Sequence, residues 1–151
     1  RGGIDPPSLT QPSDLPDFMA VGAGGPGFVH AMLKLADGSR PELKVVDDQH
    51  GNPTSAIAVA RQLRNILACP ELVGTFHMTC EGDVAEFAEE IFRLAGVRQK
   101  LRPCATAEFS RPAPRPANSR LEKRMLRLCG LSPMPPWRDA LGEFMRSEFN
   151  V

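Results

Sequence analysis

Tyrosine is absent from all 151 residues, which removes every mechanism whose proton donor is a phenol. Aromatic residues are scarce as a class, at 6% with a single Trp. There is no excess of either charge. Eighteen basic side chains face 18 acidic ones, so no long-range field draws the chain to nucleic acid or anionic lipid. No apolar run approaches the roughly 20 residues that span a bilayer, and Arg1 to Ser8 lack the apolar core of a signal peptide. These absences predict a soluble, cytoplasmic protein with neither nucleic acid nor membrane as a partner. Cys69, Cys80, Cys104 and Cys129 form no Cys-x-x-Cys pair, so a zinc knuckle and a thioredoxin-type site are excluded and the four read as reduced thiols. His30, His50 and His77 lie too far apart for the paired histidines of a helical zinc site, and no Gly-x-Ser-x-Gly elbow exists.

What is present is enough chain, 42% of it hydrophobic, for one domain with a real core. Residues 1–17 carry four prolines and little apolar periodicity, which predicts a disordered or loosely attached tail. The first residue is Arg rather than Met, as expected of a fragment, a processed product or a trimmed polypeptide. A short apolar run, Phe18 to Val21, leads through a glycine cluster to a helix over 27–36 that stops at Asp37-Gly38-Ser39. A strand is predicted over 43–47. Beyond the turn at Gly51-Asn52-Pro53, Thr54 or Ser55 can cap a helix to about Ala68 whose apolar face is Ile57, Ala60, Leu63, Ile66 and Leu67. Thr75 to Thr79 reads as a strand, and Asp83 as the cap of a helix built on Val84, Phe87, Ala88, Ile91, Phe92 and Leu94. Four prolines predict extended loop from Pro103 to Pro116. Helices over 120–129 and 136–148 close the chain. The sum is an α+β or α/β assembly with a thin sheet, in which helices surround short strands.

Gly22-x-Gly24-x-x-Gly27 precedes a helix, and Asp47 ends a strand twenty residues later, the spacing of a dinucleotide-binding fingerprint. Against that, Pro26 removes a backbone donor from the loop, the strand before it is very short, and no second βαβ half follows. The residues favour a glycine-rich turn leading into a helix. His50, beside Asp47 and Asp48, is the one histidine in a polar loop, where a solvated turn is the commoner outcome than a general base. Arg102, Arg111, Arg115 and Arg120 suit a diphosphate by their planar forks and equally suit a solvated loop; composition leaves both readings open.

Five blocks carry a family resemblance. They are Phe28-Val29-His30-Ala31-Met32-Leu33 followed by Val45-Val46-Asp47-Asp48-Gln49-His50-Gly51-Asn52-Pro53-Thr54-Ser55-Ala56; Gly74-Thr75-Phe76-His77-Met78-Thr79; Phe87-Ala88-Glu89-Glu90-Ile91-Phe92; Arg115-Pro116-Ala117-Asn118-Ser119-Arg120-Leu121; and Leu131 to Leu141, with Pro136-Trp137-Arg138-Asp139-Ala140-Leu141. In order and spacing the chain resembles the C-terminal half of dTDP-4-dehydrorhamnose reductases, extended short-chain dehydrogenases/reductases. The resemblance implies a partial Rossmann-type reductase: a tail over 1–17, then the substrate-binding domain over 18–151. It also implies the family's reaction, NAD(P)H-dependent reduction of the 4-keto group of dTDP-4-dehydro-L-rhamnose to dTDP-L-rhamnose, a step of nucleotide-sugar and cell-wall polysaccharide biosynthesis.

The family's cofactor fingerprint and its catalytic Tyr-x-x-x-Lys find no counterpart in this sequence, and Asp83-Val84-Ala85 replaces an expected Thr/Ser-Trp step. The resemblance therefore implies no catalytic, cofactor-binding or metal-binding residue here. NADPH or NADH belongs to the intact enzyme, none is expected on this chain, and magnesium is left open. Asp48, Gln49, Gly51, Pro53, Thr54, Arg115, Asn118 and Arg120 are implied to line the sugar or diphosphate of the nucleotide-sugar substrate. Either a missing Rossmann half or a partner replacing it completes the pocket, and the isolated chain is expected to be inactive. The alternative is a non-catalytic sugar-nucleotide-binding or interaction module of the same superfamily.

Overall fold

A computed structural model describes residues 20–22, 27–80, 82–108 and 116–151. The expected tail over 1–17, residues 23–26 of the glycine cluster, and Arg111 and Arg115 lie outside the described residues.

The architecture is α/β, with helices around short strands that, among the described residues, form three two-stranded sheets. β1 (Ala20–Val21) lies parallel to β4 (Thr54–Ser55), β2 (Leu43–Val46) parallel to β6 (Leu101–Cys104), and β3 (His50–Gly51) antiparallel to β5 (Gly82–Asp83). A dinucleotide fold built on the glycine cluster and Asp47 would need β1 and β2 side by side in one parallel sheet. They fall in separate two-stranded sheets among the described residues.

One apolar cluster joins α1 (Phe28–Leu35), β2, α3 (Val84–Leu94) and α5 (Trp137–Phe149). α3 is its axis. Phe87, Ala88, Ile91 and Phe92 recur at helical spacing and are almost wholly buried, with the Phe87 ring 5.7 Å from Phe28 and 5.4 Å from Trp137 between centroids. From the other side α1 contributes Phe28, Val29 and Met32, and α5 contributes Leu141, Phe144 and Met145. α3 ends as its sequence requires. Gly96 takes φ +64°, its N–H bonds the Arg93 carbonyl and the Val97 N–H bonds that of Phe92, a left-handed cap that satisfies two orphan carbonyls.

Four expectations are corrected. The strand predicted over 75–79 has no ladder partner among the described residues. The segment is held instead by side-chain and main-chain contacts at its far end, among them His77 Nδ1 to the Glu122 carbonyl and Cys80 N–H to Thr54 Oγ1. The loop predicted from Pro103 begins later, because β6 includes Pro103; an edge strand tolerates a residue without an N–H. The helix expected over 120–129 is α4 (Arg124–Leu128), since the backbone of 117–121 is already bonded to His50 and Asn52. Finally α2 (Ala56–Leu67), capped by Ser55 Oγ accepting from the Ala58 N–H, buries Ala58 and Gln62, while Ile57, Ala60, Leu63 and Leu67 face outward. The amide of Gln62 can be buried because it donates to the Ser132 carbonyl.

Candidate functional site

Residues 48–55 form an irregular loop that draws three distant segments together. His50 is the hub. Its N–H donates to the Ala117 carbonyl, and its own carbonyl accepts from the Ser119 N–H and hydroxyl, while its other side pairs with Asp83 in β5. The two loops picked out by sequence are therefore bonded to each other across some seventy positions of chain. Asn52 adds a second tie: its Nδ2 donates to the carbonyl of buried Cys80, and its Oδ1 accepts from the Leu121 N–H. Thr54 closes the turn, its hydroxyl donating to the Asn52 carbonyl and accepting from the Cys80 N–H.

The implied site residues do not converge on one point. Asn118 and Arg120 stand exposed on the far loop, where Asn118 Oδ1 accepts from the Arg120 N–H and the Arg120 guanidinium lies 3.4 Å from His50 Nδ1. Asp48 and Gln49 turn to Thr106, in the 3₁₀ turn after β6. The Asp48 carboxylate accepts from the Thr106 hydroxyl and N–H, and these bonds hold it below the usual carboxylate range. Gln49 Nε2 donates to the same hydroxyl. Pro53 and Thr54 are buried, and Gly51 is paired in β3. Arg115 lies outside the described residues. Three residues that sequence reasoning missed organise this junction: Asn52, Thr106 and Ser119. An Asn followed by Pro in a turn is a signal for Asn52, whereas nothing local marks Thr106, whose partner is 58 positions away.

Beside the junction lies a cavity of about 620 Å³, walled by Thr79, Cys80, Lys123, Arg127, Met134 and Trp137. Its lining is mainly apolar, and its cationic side chains are Lys123 and Arg127, the latter paired with Glu122. The Thr79 hydroxyl is buried with no partner among the described residues. The Cys80 thiol is spent on the Pro135 carbonyl, and burial pushes it above the ordinary thiol range. This arrangement can hold an anionic, partly apolar ligand by hydrogen bonds and charge. Among the described residues it offers no metal cluster of three or more His, Cys, Asp or Glu.

Comparison with known proteins settles the family. The profile described as RmlD substrate binding domain matches residues 19–149. The chain belongs to that family. Relatives named dTDP-4-dehydrorhamnose reductase include one from Streptomyces griseus, 38% identical over 129 residues, covering 81% of this chain and 42% of the relative. Another, from Mycobacterium tuberculosis H37Rv, is 36% identical over 136 residues, covering 88% and 44% respectively. Among solved structures, the reductase of Clostridium acetobutylicum superposes with a TM-score of 0.79 at 39% identity, over 89% of this chain and 47% of that one. The reductase of Bacillus anthracis, solved in complex with NADP, gives 0.78 at 34%, over 85% and 46%. The RmlD-type chain thus spans less than half the length of the relatives it matches. Among its described residues no helix is long and apolar enough to cross a membrane.

Proposed function

We propose that this chain is the substrate-side part of a dTDP-4-dehydrorhamnose reductase, holding a nucleotide-linked 4-keto sugar for reduction by a nicotinamide that another half of the enzyme carries. The observation that carries the reading is the His50-centred junction. It bonds the loop that carries Asn118 and Arg120 to the 48–54 loop, and the Asn52 amide ties that loop in turn to Cys80 on the wall of the cavity. Arg120 and Asn118 supply charge and donors to the diphosphate, while Asp48, Gln49, Gly51, Pro53 and Thr54 keep the loop that faces it in shape. Arg115, from the same proline-rich segment, adds a second guanidinium. No residue here breaks or makes a bond. Nothing in the sequence provides the phenol of the family's acid, and the described strands form no sheet that cradles a dinucleotide. This reading assigns NADPH or NADH to the completing half, or to a partner replacing it, and leaves magnesium open.

Isothermal titration of the purified chain with dTDP-L-rhamnose tests the site. Binding is expected, with Arg120→Ala weakening it on the order of tenfold, the loss of one charge-assisted contact. Ligand-linked oxidation of NADPH by the chain alone is expected to be nil. Authentic 4-keto reduction by the 151-residue protein would overturn the reading.

A further inference from the structure

Asp48, Thr106 and Gln49 form a short relay of hydrogen bonds whose directions are all set by one charge. The Asp48 carboxylate is exposed and held below the ordinary carboxylate range, so at neutral pH it is ionised and can only accept. Thr106 Oγ1 stands 2.5 Å from Asp48 Oδ1 and spends its single proton there. Its other bond, 2.9 Å to the Gln49 side chain, is therefore one it accepts, and only the NH2 end of an amide can supply that proton. The polarity of Gln49 follows. Its Nε2 faces Thr106, while its Oε1 has no partner among the described residues, is not sealed from solvent, and is left as an acceptor.

The hydroxyl is not what attaches the turn to the loop. The Thr106 N–H also reaches both Asp48 oxygens, at 3.0 and 2.9 Å, and Glu108, at the end of the same turn, pairs with Lys44 and Arg102. Removing the hydroxyl alone leaves those ties in place and takes away the bond that decides which end of the Gln49 amide is turned outward. Gln49 directly precedes His50, whose main chain bonds the segment bearing Asn118 and Arg120, so the outward oxygen belongs to the residue next to the meeting point of the two loops. A carbonyl oxygen has no proton to give, so it suits a hydroxyl and is repelled by a phosphate oxygen. We propose that Thr106 is a positioning residue for the sugar end of the ligand, fixing the Gln49 carbonyl oxygen as the acceptor for a sugar hydroxyl. The proposal rests on the reading of the chain as the substrate side of a sugar-nucleotide reductase.

The test is isothermal titration of the full 151-residue chain with dTDP-L-rhamnose and with dTDP, which lacks the sugar. Thr106→Val, which keeps the side-chain shape and the main-chain N–H but not the hydroxyl, should weaken dTDP-L-rhamnose on the order of tenfold and change dTDP by less than about twofold. Thr106→Ser should restore the parent value. Asp48→Asn should give the same sugar-specific loss, because an amide at 48 donates to Thr106 and lets the hydroxyl proton turn to the Gln49 oxygen. A second measurement needs no variant and so survives poor folding of any of them: the side-chain NH2 resonances of Gln49 in the parent should shift on addition of dTDP-L-rhamnose and stay in place with dTDP. Equal weakening of both ligands by Thr106→Val, weakening of neither, failure of serine to restore binding, or Gln49 resonances indifferent to the sugar would each overturn the relay while leaving the sugar-nucleotide reading intact. Binding of neither ligand by the parent chain overturns that reading, and the proposal with it.

Discussion

Replacing Asn52 by alanine tests whether the site is a set of loops or one bonded unit. Its amide donates to the carbonyl of Cys80, a residue only 3% exposed, and accepts from the N–H of Leu121, which is 42% exposed. The two losses are unequal. Water can reach the freed Leu121 N–H, so that bond costs well under 1 kcal/mol, whereas the Cys80 carbonyl is left unpaired inside the protein at about 1–3 kcal/mol. The sum is about 2 kcal/mol, which for a chain of 151 residues lowers Tm by about 4–8 °C and shifts the urea midpoint with the slope unchanged. Asn52→Asp separates the two bonds. It keeps the acceptor for Leu121 but points a carboxylate oxygen at the Cys80 carbonyl, so at neutral pH it should be worse than alanine. Facing that carbonyl raises the introduced carboxyl in the folded state, so protonation relieves the strain and stability relative to Asn52→Ala should recover as pH falls through the carboxylate range. An Asn52→Ala midpoint within about 0.5 kcal/mol of the parent, or an Asn52→Asp curve that follows Asn52→Ala at every pH, refutes the account.

Two further outcomes follow. Phe87→Ala, which removes a ring 1% exposed between Phe28 and Trp137, should cost about 3–5 kcal/mol and unfold much of the isolated chain at room temperature; a cooperative urea transition near the parent midpoint counts against the core described here. Asp48 is held by Thr106 below its ordinary value of about 3.8, so its bond is fully present above that pH and is lost as pH drops through the lower folded value. The stability gap between the parent and Asp48→Asn should therefore be open at neutral pH and close in acid, and a gap that stays constant across this range excludes the linkage.

Periodicity makes the helices legible wherever the covering surface lies inside the chain itself. α1, α3 and α5 are readable because their apolar stripes pack on one another, and Gly96 marks its stop by the left-handed backbone it adopts. The segment over 75–79 misleads for the opposite reason. Its composition suits a strand, but a strand is a relation between two segments, and no described segment offers it a ladder. Likewise β6 hides behind Pro103, since proline argues against a strand until an edge position is known. At the site, family motifs point to the two loops that the structure bonds together, yet not to the atoms that join them. Asn52 to Leu121 and Asp48 to Thr106 span 69 and 58 positions, and hydrogen bonds between side chain and backbone at that range leave no periodic trace.

α2 shows where such reading stops in principle. Its stripe of Ile57, Ala60, Leu63 and Leu67 is apolar as the sequence spacing predicts, and the structure turns it outward. Apolar residues at helical spacing say that one side of a helix is to be covered; they do not say by which polypeptide. The inward side needs little apolar area, because Ala58 is small and the Gln62 amide has the Ser132 carbonyl to bond. Rotating the helix to bury the stripe would strip that amide of its acceptor and move Ser55, which caps the helix from β4. The orientation is thus fixed by two polar bonds on the inner face, which hold the apolar stripe outward.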